Sequence, residues 1–225
     1  MSATRHRPWL PALLLLAAAA SPALADKNVV VRDSDAAFPV EGAHRLKIDV
    51  PVGEVHVFAV TGDRIESHLE LSCRARALRC REHAARLSLL SARSGDDMTL
   101  KISGYDRDGK RGINHPDVEL RLGVPAVLAV SVDMGVGDID VDGIEGDVVV
   151  DLGVGDARLA LPESAVRSVS LDVGIGDAHL SPRSDEQERS GFLFLGNEVD
   201  WREGTGRSRI SVNVGVGDAS VRLVP

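Results

Sequence analysis

The sequence predicts an all-β fold: a single-domain β-solenoid of stacked two-strand rungs, with one short helix near residues 74–86. Three observations predict it. One phrase recurs four times, as SVDMGVGD (131–138), VVDLGVGD (149–156), SLDVGIGD (170–177) and SVNVGVGD (211–218). Each copy alternates apolar and polar residues, the period of a strand with one buried face. Aromatic residues make up only 3% of the chain, and small β-branched side chains suit thin stacked sheets better than large rings.

The phrase ends in a corner. Leu128, Val130, Val132, Met134 and Val136 alternate strictly, but Ile139 and Val141 follow in the opposite parity. A parity change needs a bulge or corner, and glycine permits one. The same switch recurs from Val154 to Ala157, from Ile175 to Ala178 and from Val216 to Ala219. The predicted corner glycines are therefore Gly135, Gly137, Gly153 and Gly155, and then Gly174, Gly176, Gly215 and Gly217. First glycines follow one another at 18, 21 and 41 residues. A rung of about 18–21 residues holds two strands and two corners, and rungs stack at about 4.8 Å. The last interval is close to two rungs, which places a degenerate one near Leu195-Gly196-Asn197.

The regular repeats occupy 118–225, and a helix-containing part precedes them at 40–103. Residues 45–60 read as an opening repeat, with Leu46, Ile48 and Val50 before the corner and Val55 and Val57 after it. Residues 65–71 read as another strand. Ala77, Cys80, Ala84 and Leu87 then recur at three and four, which is helical spacing. Residues 87–102 read as a hairpin around Ser94-Gly95-Asp96-Asp97, and 104–117 as a polar loop.

Residues 1–25 read as a signal peptide. Arg5 and Arg7 precede the apolar run 10–20, and Ala23-Leu24-Ala25 fits a cleavage site. The expectation is an exported protein beginning near Asp26, periplasmic or extracellular, without a later membrane-spanning helix. The formal net charge is −8, which argues against nucleic acid as a partner. Cys73 and Cys80 predict a disulfide in an oxidising compartment. Seven residues of unbroken helix would hold their Cα atoms roughly 10 Å apart, beyond the ~7 Å a bridge tolerates. A strand-to-helix break must therefore lie between them.

The run 118–224, with its strand, Gly-x-Gly-Asp, strand cadence, resembles the bacterial putative-adhesin β-strand-repeat family, also called the toast-rack domain. The opening 47–57 (KIDVPVGEVHV) fits the same pattern, so the resemblance touches most of the chain after the signal. It implies an exported, non-catalytic β-solenoid with an adhesin-like role.

Candidate chemistry lies in four places. One acidic column is Asp138, Asp156, Asp177 and Asp218; another is Asp133, Asp151, Asp172 and Asn213. Carboxylates stacked about 5 Å apart repel unless solvated, protonated or bridged by a cation. The first column is thus a weak Ca²⁺ candidate, set against the favoured reading that each Asp accepts backbone N–H bonds at its turn. The G-x-G-D order is not that of calcium-binding repeats, and no metal or cofactor is predicted. The first-glycine column could leave a flat stripe for a partner strand or glycan, though local bulge geometry explains it without one. Arg74, Arg76, Arg79, Arg81 and Arg86, opposed only by Glu82, form a patch suited to an anionic partner or simply a solvated face. Phe192, Phe194 and Trp201 plug an irregular rung or line a sugar pocket.

The six histidines after the signal show no zinc spacing, and no catalytic motif is present. The leading expectation is a non-catalytic envelope module that binds an envelope protein, a glycan or a lipid headgroup. The alternatives are a glycan-acting enzyme using Asp185, Glu186 and Glu198, and a structural component that self-assembles through open solenoid ends.

Overall fold

The computed structural model describes residues 28–105, 115–181 and 197–225. The predicted signal segment lies outside these residues, as do Asp185, Glu186, Phe192 and Phe194.

Period-two burial builds the strands. β2 (Arg45–Val60) buries Leu46, Ile48 and Val50, then Val55 and Val57. β7 (Ala129–Asp142) buries Val130, Val132 and Met134, then Ile139 and Val141. In both strands the buried parity inverts across a left-handed glycine, Gly53 at φ +150° and Gly137 at φ +143°. The two strands pair in parallel from Arg45 opposite Ala129 to Phe58 opposite Asp142. The opening repeat therefore stacks directly on the first of the four phrases.

Because β2 and β7 run through the corner, they belong to two arms of one open, mixed sheet. In the first arm β4 (Ser88–Ser94) and β5 (Asp97–Ser103) precede β2 and β7, and β8 (Val148–Val154), β13 (Ser208–Val216), β10 (Val166–Ile175) and β12 (Asn197–Trp201) follow. In the second arm β1 (Asn28–Pro39), β3 (Arg64–Arg74) and β6 (Asp117–Pro125) precede them. There β9 (Ala157–Pro162), β14 (Ala219–Val224) and β11 (Ala178–Ser181) follow. The inward side chains of both arms join one hydrophobic cluster. Each buried Val, Leu or Ile contributes about 1.5–3 kcal/mol, so these apolar columns hold the arms together.

The stacking order departs from the chain order. β13 lies between β8 and β10, with Ser211 opposite both Val149 and Ser170. The fourth phrase therefore does not sit beyond a further rung. Of the expected degenerate rung, Leu195 and Gly196 lie outside the described residues. Asn197 opens β12, an antiparallel strand with Trp201 opposite Val169. The 41-residue interval is an excursion past β10 and back, which spacing alone reads as two rungs. Entry of β13 is pinned by Asp147: its carboxylate accepts the Arg209 N–H at 2.8 Å, while its carbonyl accepts the Val130 N–H at 2.8 Å. Ser208 Oγ also donates to the Glu145 carbonyl.

α1 (Leu78–Ala84) is shorter than the predicted 74–86, because Arg74 still pairs with Asn28 at the end of β3. The turn between strand and helix brings Cys73 and Cys80 to a Cα separation of 6.0 Å, and they are disulfide-bonded. Both sulfur-bearing residues are buried, together with Ala84 and Leu87.

Candidate functional site

The corner residues form a ladder. Asp138 Oδ1 accepts the Asp156 N–H at 3.2 Å, Asp156 Oδ1 accepts the Asp218 N–H at 3.1 Å, and Asp218 Oδ1 accepts the Asp177 N–H at 2.9 Å. Each of these three carboxylates thus caps a backbone donor at the neighbouring strand's corner, where the sequence suggested its own turn. Among the described residues, no group of three or more His, Cys, Asp or Glu is placed to hold a metal ion. The second glycines need their freedom. Gly155 has φ +136°, and a Cβ there would overlap the carbonyl oxygen of Gly137.

The outward face of the first arm carries the other predicted column. Lys101, Asp49, Asp133, Asp151, Asn213, Asp172 and Glu198 follow in register across seven strands. Lys101 pairs with Asp49, and Asn213 Nδ2 donates to Asp151 Oδ1 at 2.7 Å. Beside them run Gly135, Gly153, Gly215 and Gly174. A Cβ on Gly153 or Gly215 would stand 2.5 Å or 2.6 Å from the preceding strand's carbonyl oxygen, so close strand approach accounts for these glycines. Val154, Val216 and Ile175 rise exposed along the corner. The trough between acids and glycines is open and encloses about 530 Å³. Trp201 packs half-buried against the core, which fits the plug reading for that residue.

The Arg patch gathers around the disulfide. Arg74 ends β3, Arg76 lies in the turn, Arg79 and Arg81 lie on α1, and Arg86 follows it; all are exposed. Among the described residues, the side chains of Arg74, Arg76, Arg79 and Arg81 have no ion-pair or hydrogen-bond partner. Between β1 and α1 opens a cleft of about 640 Å³, lined by Val30, Val31, Arg32, Arg81, Ala84 and Ala85. Arg32 Nη1 donates to the Leu87 carbonyl at 2.5 Å, which holds its guanidinium at the cleft. Val29 and Val30 are 40% and 48% exposed. The arrangement sets two guanidiniums, Arg32 and Arg81, beside a partly apolar floor, a geometry that accepts a phosphate or carboxylate attached to an apolar body. Sequence reading missed β1 and Arg32. The run Val29-Val30-Val31 was the available signal, a short β-branched stretch of the kind that forms strands.

Next to this cleft, β1 is tied to β3 by a titratable contact. His68 Nδ1 lies 2.8 Å from Asp35 Oδ1 and 3.5 Å from Asp33 Oδ1. The hydrogen bond to Asp35 raises the His68 pKa above its ordinary 6.5, against a smaller opposing effect of desolvation. No described helix is long and apolar enough to cross a membrane.

No protein-family model matches the chain, and no curated protein is significantly similar to it. Among solved structures, one described as a putative cell adhesion protein from Clostridium sporogenes superposes with a TM-score of 0.54 at 16% identity, covering 86% of this chain and 99% of that one. A putative adhesin from Parabacteroides distasonis aligns at 12% identity over 84% of this chain and 70% of that one, with a TM-score of 0.29. The first of these shares the fold; the overlap with the second is too loose to carry weight.

Proposed function

We propose that the chain is a non-catalytic, exported module of the bacterial cell envelope, built on a short β-solenoid and acting in adhesin-like attachment. It docks through the Arg74–Arg86 region onto anionic lipid headgroups. One observation carries this reading: Arg81, one of four neighbouring exposed arginines whose side chains have no partner among the described residues, joins Arg32 at a cleft whose β1 wall includes the exposed Val30. The chain as a whole has a net charge of −8, so the patch is the face an anionic surface attracts while the rest is repelled. Attraction to such a surface is worth about 1 kcal/mol per basic residue near it and fades within a Debye length.

Co-sedimentation of the exported protein with vesicles tests the reading. Phosphatidylglycerol vesicles should retain it at low salt and release it at high salt, and Arg76→Gln/Arg79→Gln/Arg81→Gln should abolish retention. Equal retention on neutral phosphatidylcholine vesicles, or none on either, would overturn the headgroup assignment.

A further inference from the structure

The outward face of the second arm holds a second polar site, far in sequence from the Arg patch. Two rows cross it in register. Asp140 stands opposite Arg158, Arg158 opposite Ser220, and Ser220 opposite His179. Two residues along, Asp142, Ala160, Arg222 and Ser181 follow in the same order. Where Ala160 and Ser220 fall between longer side chains, the surface sinks into a pit of about 360 Å³. That lies at the small end of the range for ligand sites.

The rim is polarised and mostly held in place. At one end Asp142 is gripped by His56, with Nε2 to Oδ2 at 2.8 Å. Arg158 donates to Asp156 Oδ2 at 2.6 Å, and Asp156 is itself fixed by the corner ladder. At the other end His179 and Ser181 bond each other at 2.9 Å. Arg222 differs from these: among the described residues its guanidinium has no partner. A guanidinium opposite the Ser181 hydroxyl, with the His179 imidazole on the diagonal, is a fork that can take an oxyanion. Carboxylates across the pit can only accept hydrogen bonds, which repels a bare anion and favours hydroxyl donors. The ligand that satisfies both poles carries one anionic group and several hydroxyls.

We infer that this pit binds a single acidic sugar unit, its anionic group on Arg222 and its hydroxyls toward Asp140 and Asp142. Restrained rim groups lower the ordering cost of binding.

Isothermal titration of the exported protein with glucuronate tests this, with glucose and inorganic phosphate as separate arms. Glucuronate should bind saturably and at least tenfold more tightly than either. Arg222→Gln should remove that margin, and Asp142→Asn should weaken glucuronate binding several-fold. Both variants should keep wild-type retention on phosphatidylglycerol vesicles, which separates this site from the Arg patch. Phosphate binding as tightly as glucuronate would leave an anion site without sugar recognition and overturn the proposal. So would glucuronate binding that Arg222→Gln leaves intact.

Discussion

Asn213 Nδ2 donates to Asp151 Oδ1 at 2.7 Å across two strands that lie 62 residues apart in the chain. The pairing gives a role to the residue at which the fourth phrase departs from the other three. In the stack Asn213 sits between Asp151 and Asp172, where another carboxylate would face a like charge on both sides. An amide donates where a carboxylate would repel. Asn213→Asp should therefore destabilise the fold by about 1 kcal/mol, the sum of two unfavourable cross-strand pairs. Chemical denaturation at low and high salt checks it, because the loss should shrink with screening.

Gly155→Ala places a Cβ against the Gly137 carbonyl at φ +136°. Strained backbone and overpacking together should cost about 3 kcal/mol or more. Gly62→Ala is the control: its φ is +125°, but nothing lies within 4 Å of the added atom. It should lose only the backbone part, so thermal melts should rank the two variants clearly.

His68 links pH to the β1 edge. Its folded pKa lies above 6.5 because Asp35 accepts its hydrogen bond. The stabilisation is fully present below the unfolded pKa and is lost as pH rises through the folded one. Hydrogen-exchange protection in residues 32–38, corrected for the intrinsic base catalysis of exchange, should therefore fall from mildly acidic toward mildly alkaline pH. NMR titration should place the His68 pKa above 6.5, and Asp35→Asn should lower it and flatten the exchange profile.

Removing the bridge with Cys73→Ser/Cys80→Ser should cost about 2 kcal/mol for so short a loop. α1 has only seven residues and no side-chain N-cap, so it should fray without the bridge. Circular dichroism should keep its strand signal, while retention on phosphatidylglycerol vesicles should fall. Unchanged retention would mean that the patch does not depend on its scaffold.

Much of the stack was legible because parity is a local property. The switch from Met134 to Ile139 can be read without knowing which strand lies alongside. The disulfide was expected from the isolated cysteine pair, and the break between β3 and α1 was legible because seven residues of unbroken helix cannot be bridged. Stacking order was not legible, because spacings measure distance along the chain and β13 is placed by contacts such as Asp147 with Arg209. The same blindness hid the pit. Arg158, Arg222 and His179 are single residues that each follow a separate phrase, and only the true neighbour order brings them together. Of the Arg patch, the cations were visible as a charge run, but the β1 wall that makes a cleft of it was not.

The seating of β13 and β14 between strands made earlier reverses the usual sense of completion. When a chain emerges N-terminus first, β8 with β9 and β10 with β11 are present before residues 208–224, which separate them. Without those residues, β8 with β9 and β10 with β11 each lack the partner strand of the completed stack, and their edges carry matching Gly-x-Gly-Asp corners that can pair with each other instead. The segment 208–224 is a keystone: the arch is drawn from its earlier stones, but it stands only when a later one is driven into the middle.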